Sequence, residues 1–172
     1  MNIYKKGGFV IVQIDCDKEF ESLSDKFGLK YNITFNISNA QDHVPAAERN
    51  NWVIKERVRA MYHRLPYQHL PRTLVKYMVT EAARTLNYYP AKYGVSPYYT
   101  PRMILHKRTL DYHKQLKIQF ETYVQAHTDN PTTKNTLADR TFDGLYLRST
   151  SSQQGGHDIL NLHKNSVINR AV

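Results

Sequence analysis

The apolar positions of this chain change their period several times, and each change marks a predicted element. Phe9-Val10-Ile11-Val12-Gln13-Ile14 is a short β-branched run after Gly7-Gly8 and predicts a buried strand, ended by Asp15 to Asp17. Glu19 to Phe27 predicts a short helix with Gly28 as the residue after its end. Tyr31, Ile33, Phe35 and Ile37 alternate with polar residues, the pattern of a half-covered strand. The loop Ser38 to His43 follows, and Pro45 suits the first turn of a helix running to about Leu65. In it Ile54, Val58, Met61 and Leu65 repeat at helical spacing and form one apolar stripe. Leu65-Pro66 ends that helix. A second helix is expected from about Pro71 to Asn87, with Leu74, Tyr77, Met78, Ala82 and Leu86 inward, stopped by Tyr89-Pro90. Ala91 to Pro101 holds Gly94, Pro97 and Pro101 and predicts a loop with room for a short helix.

After about Lys107 the character shifts. Phe120–Val124, Phe142–Leu147, Ile159–Leu162 and Val167–Ile168 are short β-forming stretches. Asp129-Asn130-Pro131 and the biased segment Ser149 to Gly156 separate them and predict turns, the second a hairpin loop. Strand, helix, strand, helix followed by several short strands predicts an α/β portion and then a small antiparallel β module, with the boundary between about 107 and 118. No internal repeat is visible.

Composition narrows the classes. With 172 residues and 41% hydrophobic content, the chain suits one domain, or one with a small appendage, and can bury a core. No run of about 18 apolar residues occurs, so no membrane span is expected. The start, Met1-Asn2-Ile3-Tyr4-Lys5-Lys6, lacks the apolar stretch of a signal peptide. Cys16 is the sole cysteine, which excludes an internal disulfide and a Cys-based zinc site and points to a reducing compartment, nucleus or cytoplasm. Lys plus Arg number 24 against 15 for Asp plus Glu, a net charge of +9 that favours polyanions. The 13 tyrosines can stack on bases or fill a core.

Acidic residues stand where chemistry would need them. Asp15 and Asp17 emerge at the end of the first predicted strand, and Glu48 lies in the first turns of the long helix. Brought together, such carboxylates make an oxygen-rich pocket for hard divalent cations, and two Mg²⁺ ions so held can clamp the oxygens of an in-line phosphoryl transfer. Caps and helix-dipole partners are the alternative roles for the same residues. At about 100° per residue, Lys55 and Arg59 each lie roughly 20° from Glu48 on the helix wheel. Asn51 and Trp52 flank them, and the apolar stripe is centred roughly 250° around. Glu48, Lys55 and Arg59 therefore share a ridge suited to a DNA backbone, or to a solvated face with intrahelical ion pairs. Trp52 is expected to pack, and Glu56 to be a surface acid. His157 and His163 are expected in surface or turn positions rather than as metal ligands. No base is placed near Ser96, Ser149 or Ser151, and no Lys-Ser/Thr pair follows Gly7-Gly8 or Gly155-Gly156, so neither a Ser hydrolase nor a phosphate-binding loop is expected.

His43-Val44-Pro45-Ala46-Ala47-Glu48-Arg49-Asn50, followed by Val53-Ile54-Lys55-Glu56-Arg57-Val58-Arg59, resembles the catalytic-Glu helix of copia-type LTR retrotransposon integrases. The likeness is strongest to the divergent copia-like elements widespread in diatoms and other protists. It continues in Gly8-Phe9, Asp17-Lys18-Glu19-Phe20-Glu21, Leu65-Pro66-Tyr67, Leu86-Asn87-Tyr88-Tyr89-Pro90, Lys92-Tyr93-Gly94-Val95-Ser96 and Thr100-Pro101-Arg102. Tyr123-Val124-Gln125-Ala126-His127, Arg140-Thr141 and Gln154-Gly155-Gly156 resemble the small β module that follows the core in these polyproteins. Each motif alone is weak, but their number and order cover nearly the whole chain.

The resemblance implies an RNase H-like integrase core over 1–110, truncated at its amino terminus, and a small SH3-like β module over 111–172. It implies a polynucleotidyl transferase, dependent on Mg²⁺ or Mn²⁺, that cleaves at DNA 3′ ends and joins them to target DNA. The family's second catalytic Asp falls on Asp17. Asp15 competes, having the Asp-x-x-x-Glu spacing of the wider integrase group. The third carboxylate falls on Glu48, so Asp17 and Glu48 are the implied metal ligands. Lys55 matches a family position that commonly contacts DNA, and Arg59, Asn51 and Arg49 on the same helix are the further expected DNA contacts. The partners implied are DNA and further integrase or pol subunits as a homo-oligomer, with no membrane, in nucleus and cytoplasm. The family's first Asp lies on an earlier strand, upstream of any residue in this sequence, and its amino-terminal zinc module has no counterpart here. An inactive fragment is therefore expected when the chain stands alone. The alternative is a non-catalytic nucleic-acid-binding or assembly module, the relic of a transposable element.

Overall fold

The computed structural model describes residues 2–39, 44–128, 139–150 and 155–170. The predicted turn at Asp129-Asn130-Pro131, the loop residues 40–43 and the biased residues 151–154 lie outside them. Two compact units share the chain. One is Met1–His63 with Tyr89–Arg108, the other Arg64–Tyr88 with Thr109–Val172. Together they are mixed α/β, one holding a small parallel sheet and the other a four-stranded antiparallel sheet. Among the described residues no helix is long and apolar enough to cross a membrane.

In the first unit, α1 (Asn2–Lys6) packs against α5 (Pro101–His106). Gly7 makes that approach possible, since a Cβ there would stand 2.5 Å from the Leu105 carbonyl oxygen. The first strand, β1 (Gln13–Asp17), pairs in parallel with β2 (Thr34–Ser38), from Gln13 opposite Thr34 to Asp17 opposite Ser38. A 3-10 turn, Lys18–Phe20, and the helix α2 (Glu21–Tyr31) connect them. The strand thus starts four residues later than its apolar run predicts, and Val10 is 85% exposed rather than buried. The reason is pairing: α2 and its left-handed cap Asn32 occupy the positions that would stand opposite Phe9 to Ile11. Helix α2 also runs through Gly28, the expected terminator. Asn32 takes the left-handed cap position instead, at φ 54°. Gly28 serves a close approach, since a Cβ on it would sit 3.3 Å from the Ile33 carbonyl oxygen.

Helix α3 (Pro45–Tyr62) starts with its proline in the first turn, as expected, and ends three residues before Leu65. Ile54, Val58 and Met61 are half-buried, and no α3 residue is fully buried. Trp52, expected to pack, is exposed.

The second unit is built on α4 (Arg72–Leu86) and an antiparallel meander in the order β3 (Tyr123–His127), β4 (Thr141–Ser149), β5 (His157–Asn161), β6 (Ser166–Arg170). The short helix α6 (Tyr112–Gln115) precedes the sheet. Helix α4, which lies within the expected core segment 1–110, packs on β4. It buries Leu74, Met78 and Ala82, three of its five predicted inward residues. Leu74 meets Leu147 and Leu160, flanked by Tyr77, Phe120 and Val167. A second cluster gathers Val124, Ala126, Tyr146 and Ile159 against Ile118 and Phe142. Every residue of β5 is buried, as a central strand covered on both faces requires. Ile159 has no exposed surface, and its γ2 methyl fills the space a Cβ on Gly144 would take. Trimming Ile159 to alanine removes buried methylenes and leaves a void, so Ile159→Ala is expected to lower stability by about 2–5 kcal/mol. Val10→Ala, at an exposed site, is expected to stay within about 0.5 kcal/mol. Urea denaturation of both variants checks the contrast.

Candidate functional site

Alternation along β1 sets the first candidate site. Ile14 and Cys16 are half-buried, while Gln13, Asp15 and Asp17 point the other way and are exposed. The parallel register puts Thr34, Asn36 and Ser38 of β2 beside them on that face. Helix α2 packs on β2 from the opposite, apolar face, where a Cβ built on Gly28 would lie 3.9 Å from the Phe35 ring. The result is an exposed polar strip that carries both candidate aspartates.

The two aspartates differ in what they already bind. Asn36 Nδ2 donates to Asp15 Oδ1 at 2.9 Å, and Gln13 Nε2 donates to the same oxygen at 2.7 Å. These bonds, Asn36 first and then Gln13, hold the Asp15 carboxyl below the usual carboxylate range. Asp17 has only a long contact from Ser38 Oγ, 3.4 Å from its Oδ1, and that hydroxyl also reaches the Cys16 carbonyl at 3.1 Å. Asp17 precedes the 3-10 turn without using its side chain as a cap. Of the two carboxylates, Asp17 is therefore the more available to an incoming cation, and it stands at the carboxyl end of the strand.

Glu48 is exposed in the first turn of α3, where a carboxylate suits the helix dipole. Arg49, Asn51, Lys55 and Arg59 are likewise exposed. The Arg59 guanidinium is ion-paired with Glu56 one turn back, an exposed pair of small energetic weight. The donors on hand are carboxylate, amide and hydroxyl oxygens, the hard set Mg²⁺ prefers. Mg²⁺ is commonly held by one or two carboxylates together with substrate phosphates and water. Among the described residues no group of three or more His, Cys, Asp or Glu side chains could hold a metal ion. Asp15 and Asp17 are thus brought together, while Glu48 does not complete a three-donor cage with them. A cleft lined by Tyr4, Phe9, Val10, Ile11, Tyr31 and Ile33 lies at the amino ends of the strands, the opposite end from Asp17.

The second unit holds a polar cluster that the sequence pattern did not disclose. Arg148 Nε donates to Asp158 Oδ2 at 2.7 Å, and Asn169 Nδ2 donates to Asp158 Oδ1 at 3.1 Å. The Arg148 guanidinium lies over the Tyr77 ring, 5.3 Å from its centroid. On α4, Arg84 Nε is 3.1 Å from Glu81 Oε2, and another Arg84 nitrogen donates to the Ser149 carbonyl. His157, expected at the surface, is instead buried in β5 against Tyr146, because the fifth strand is covered on both faces. Burial, then Lys117, draws its pKa down. His163 does lie exposed in the β5–β6 turn. Burial also pushes the Tyr67 hydroxyl up to about 12, with Glu121 beside it adding to the rise. The cluster's geometry ties strands to helix.

No protein-family model matches this chain, and a search of curated proteins finds no match.

Burial raises the Glu81 carboxyl above its ordinary 4.5, while Arg84 and then Arg148 pull it back. The folded chain therefore holds that proton more tightly than the unfolded chain does. The associated stability is complete below 4.5 and is lost as pH rises through the raised folded value. In Glu81→Gln that decline is expected to disappear. Denaturation midpoints of both proteins across this pH window should converge or cross, and parallel curves would count against the assignment.

Proposed function

We propose that the chain is a DNA-handling portion of a copia-type integrase, a polynucleotidyl transferase whose first unit is RNase H-like and whose antiparallel module is SH3-like. The observation that carries it is the exposed strip of β1, with Asp15 and Asp17 on one face and Asp17 at the strand's carboxyl end, in a parallel β-α-β unit. Carboxyl ends of parallel strands are where α/β folds build their sites. The order of motifs around Glu48 and the net charge of +9 add to it.

In this reading Asp17 and Glu48 supply oxygens to Mg²⁺ or Mn²⁺, and the DNA phosphate supplies others. When bound, such an ion stabilises charge on the phosphoryl oxygens and activates water or a DNA 3′-hydroxyl. Asn36 and Gln13 hold Asp15 ionised beside Asp17, which adds negative potential to the strip without spending a ligand oxygen of Asp17. Lys55, Arg59, Asn51 and Arg49 fix the DNA backbone along α3. DNA is the partner, with further copies of the subunit as a homo-oligomer.

A second reading is favoured by the lack of a three-carboxylate group among the described residues. The chain then binds DNA without cutting it. Both readings require affinity that falls steeply with salt, and Lys55→Ala should reduce the salt slope by about one. They part on metal. With a duplex oligonucleotide present, Mn²⁺ uptake followed by electron paramagnetic resonance should weaken at least about tenfold in Asp17→Asn and in Glu48→Gln. Mg²⁺-dependent end-nicking, where the wild type shows it, should fall about a hundredfold in Glu48→Gln. Unchanged Mn²⁺ uptake in both variants would leave DNA binding alone.

A further inference from the structure

Between α4 and α5 the chain presents an aromatic surface to water. Four of the 13 tyrosines fall in Tyr89–Arg108, at 89, 93, 98 and 99, and all are exposed. Tyr93 is 90% exposed and Tyr98 83%. Exposed rings scattered singly need no explanation, but four within eleven residues make this segment a candidate contact surface. The segment's own charge is one-sided. Tyr89–Arg108 contains no Asp or Glu and four cations, Lys92, Arg102, Lys107 and Arg108. The Lys92 ammonium lies 5.4 Å from the Tyr93 ring centroid, so a positive charge accompanies an exposed ring.

The backbone beneath the rings is fixed. Ser96 Oγ accepts from Tyr98 N at 3.2 Å and from Tyr99 N at 3.1 Å. Gly94 N donates to the Ala91 carbonyl at 3.0 Å. Thr100 is buried and caps α5 by accepting from Met103 N at 3.1 Å. Pro90, Pro97 and Pro101 restrict the backbone further. These bonds leave less backbone freedom to be lost when the rings meet a flat ligand.

We propose that Tyr93 and Tyr98, with Lys92, form a stacking platform for unpaired nucleotides of a single DNA strand. Every base has a π face and every nucleotide a phosphate, so aromatic rings among cations, with no acid between them, match a single strand and not a duplex whose bases are already stacked. This rests on the reading that the chain handles DNA, and it adds which form of DNA this segment takes: a frayed or processed end rather than the paired backbone along α3.

The test is fluorescence anisotropy of the full chain with a labelled oligothymidylate of about 12 nucleotides and, separately, a blunt duplex. Tyr93→Ala with Tyr98→Ala is expected to weaken single-strand binding roughly tenfold or more for each ring, and duplex binding by no more than about twofold. Tyr93→Phe with Tyr98→Phe keeps the rings and should bind as the wild type does. Circular dichroism melting should coincide for all three proteins, since the substituted rings are exposed. Undiminished single-strand binding by the alanine variant overturns the platform, as does an equal loss in the phenylalanine variant. Duplex binding without single-strand binding by the wild type overturns the platform alone and leaves the proposed function standing. Ring-dependent single-strand binding in a protein whose Mn²⁺ uptake ignores Asp17 and Glu48 upholds the platform while the catalytic reading falls.

Discussion

The antiparallel unit depends on one irregularity, the bulge at Leu147. Tyr146 stands opposite Ile159, and Arg148, not Leu147, stands opposite Asp158. Counted in an unbroken ladder, Leu147 would face Asp158 and Arg148 would face His157. The extra residue shifts β4 by one and places the guanidinium beside the carboxylate it needs. Leu147 remains free to fill the cluster with Leu74 of α4, while Tyr146 fills the other with Ile159. Asp158 in turn holds Asn169 of β6, and Arg148 lies over Tyr77 of α4. A single offset therefore joins three strands and a helix, and it is why a partly buried charge is tolerated there.

The parallel pair works by a different constraint. Strict alternation gives β1 two chemically opposite faces within five residues. Ile14 and Cys16 turn to the α2 side, and the aspartates turn to water. The partner strand then decides how alike the aspartates are. Asn36 is an amide that, with Gln13, donates to one Asp15 oxygen, while Ser38 is a short hydroxyl divided between Asp17 and the Cys16 carbonyl. Two carboxylates two residues apart thus have unequal freedom to accept a new partner.

Much of this was legible in the sequence where pattern and local chemistry coincide. The β-forming stretches after Lys107 mark all four antiparallel strands, and Pro45 marks the start of α3. The inward set Leu74, Met78 and Ala82 follows from helical spacing alone. Failures cluster where a distant partner decides. The start of the apolar run at Phe9 has strand composition but, among the described residues, no strand opposite it, and Gly28 has cap chemistry but sits where a Cβ would crowd the Ile33 carbonyl. His157 reads as a surface residue until β5 is seen to be central. Asp15 and Asp17 could be chosen as candidates from spacing, but their unequal hydrogen bonding depends on residues 21 positions away. The bulge leaves no mark in the sequence at all, since it is a property of two strands together.

The division of the chain carries a consequence for how it is made. Each unit is assembled from two stretches, and the stretches alternate: residues 64–88 of one interrupt the other, whose remainder ends at Arg108. During synthesis, α1 emerges ahead of α5 and waits about a hundred residues for it, the helix it packs against. Helix α4 waits for β4 in the same way. Neither unit can close behind the ribosome before the other has been started, so their exposed apolar faces coexist for part of translation. Contacts of such long sequence separation slow closure relative to a chain of successive, self-contained units. For the same reason no single cut separates the two units from one another.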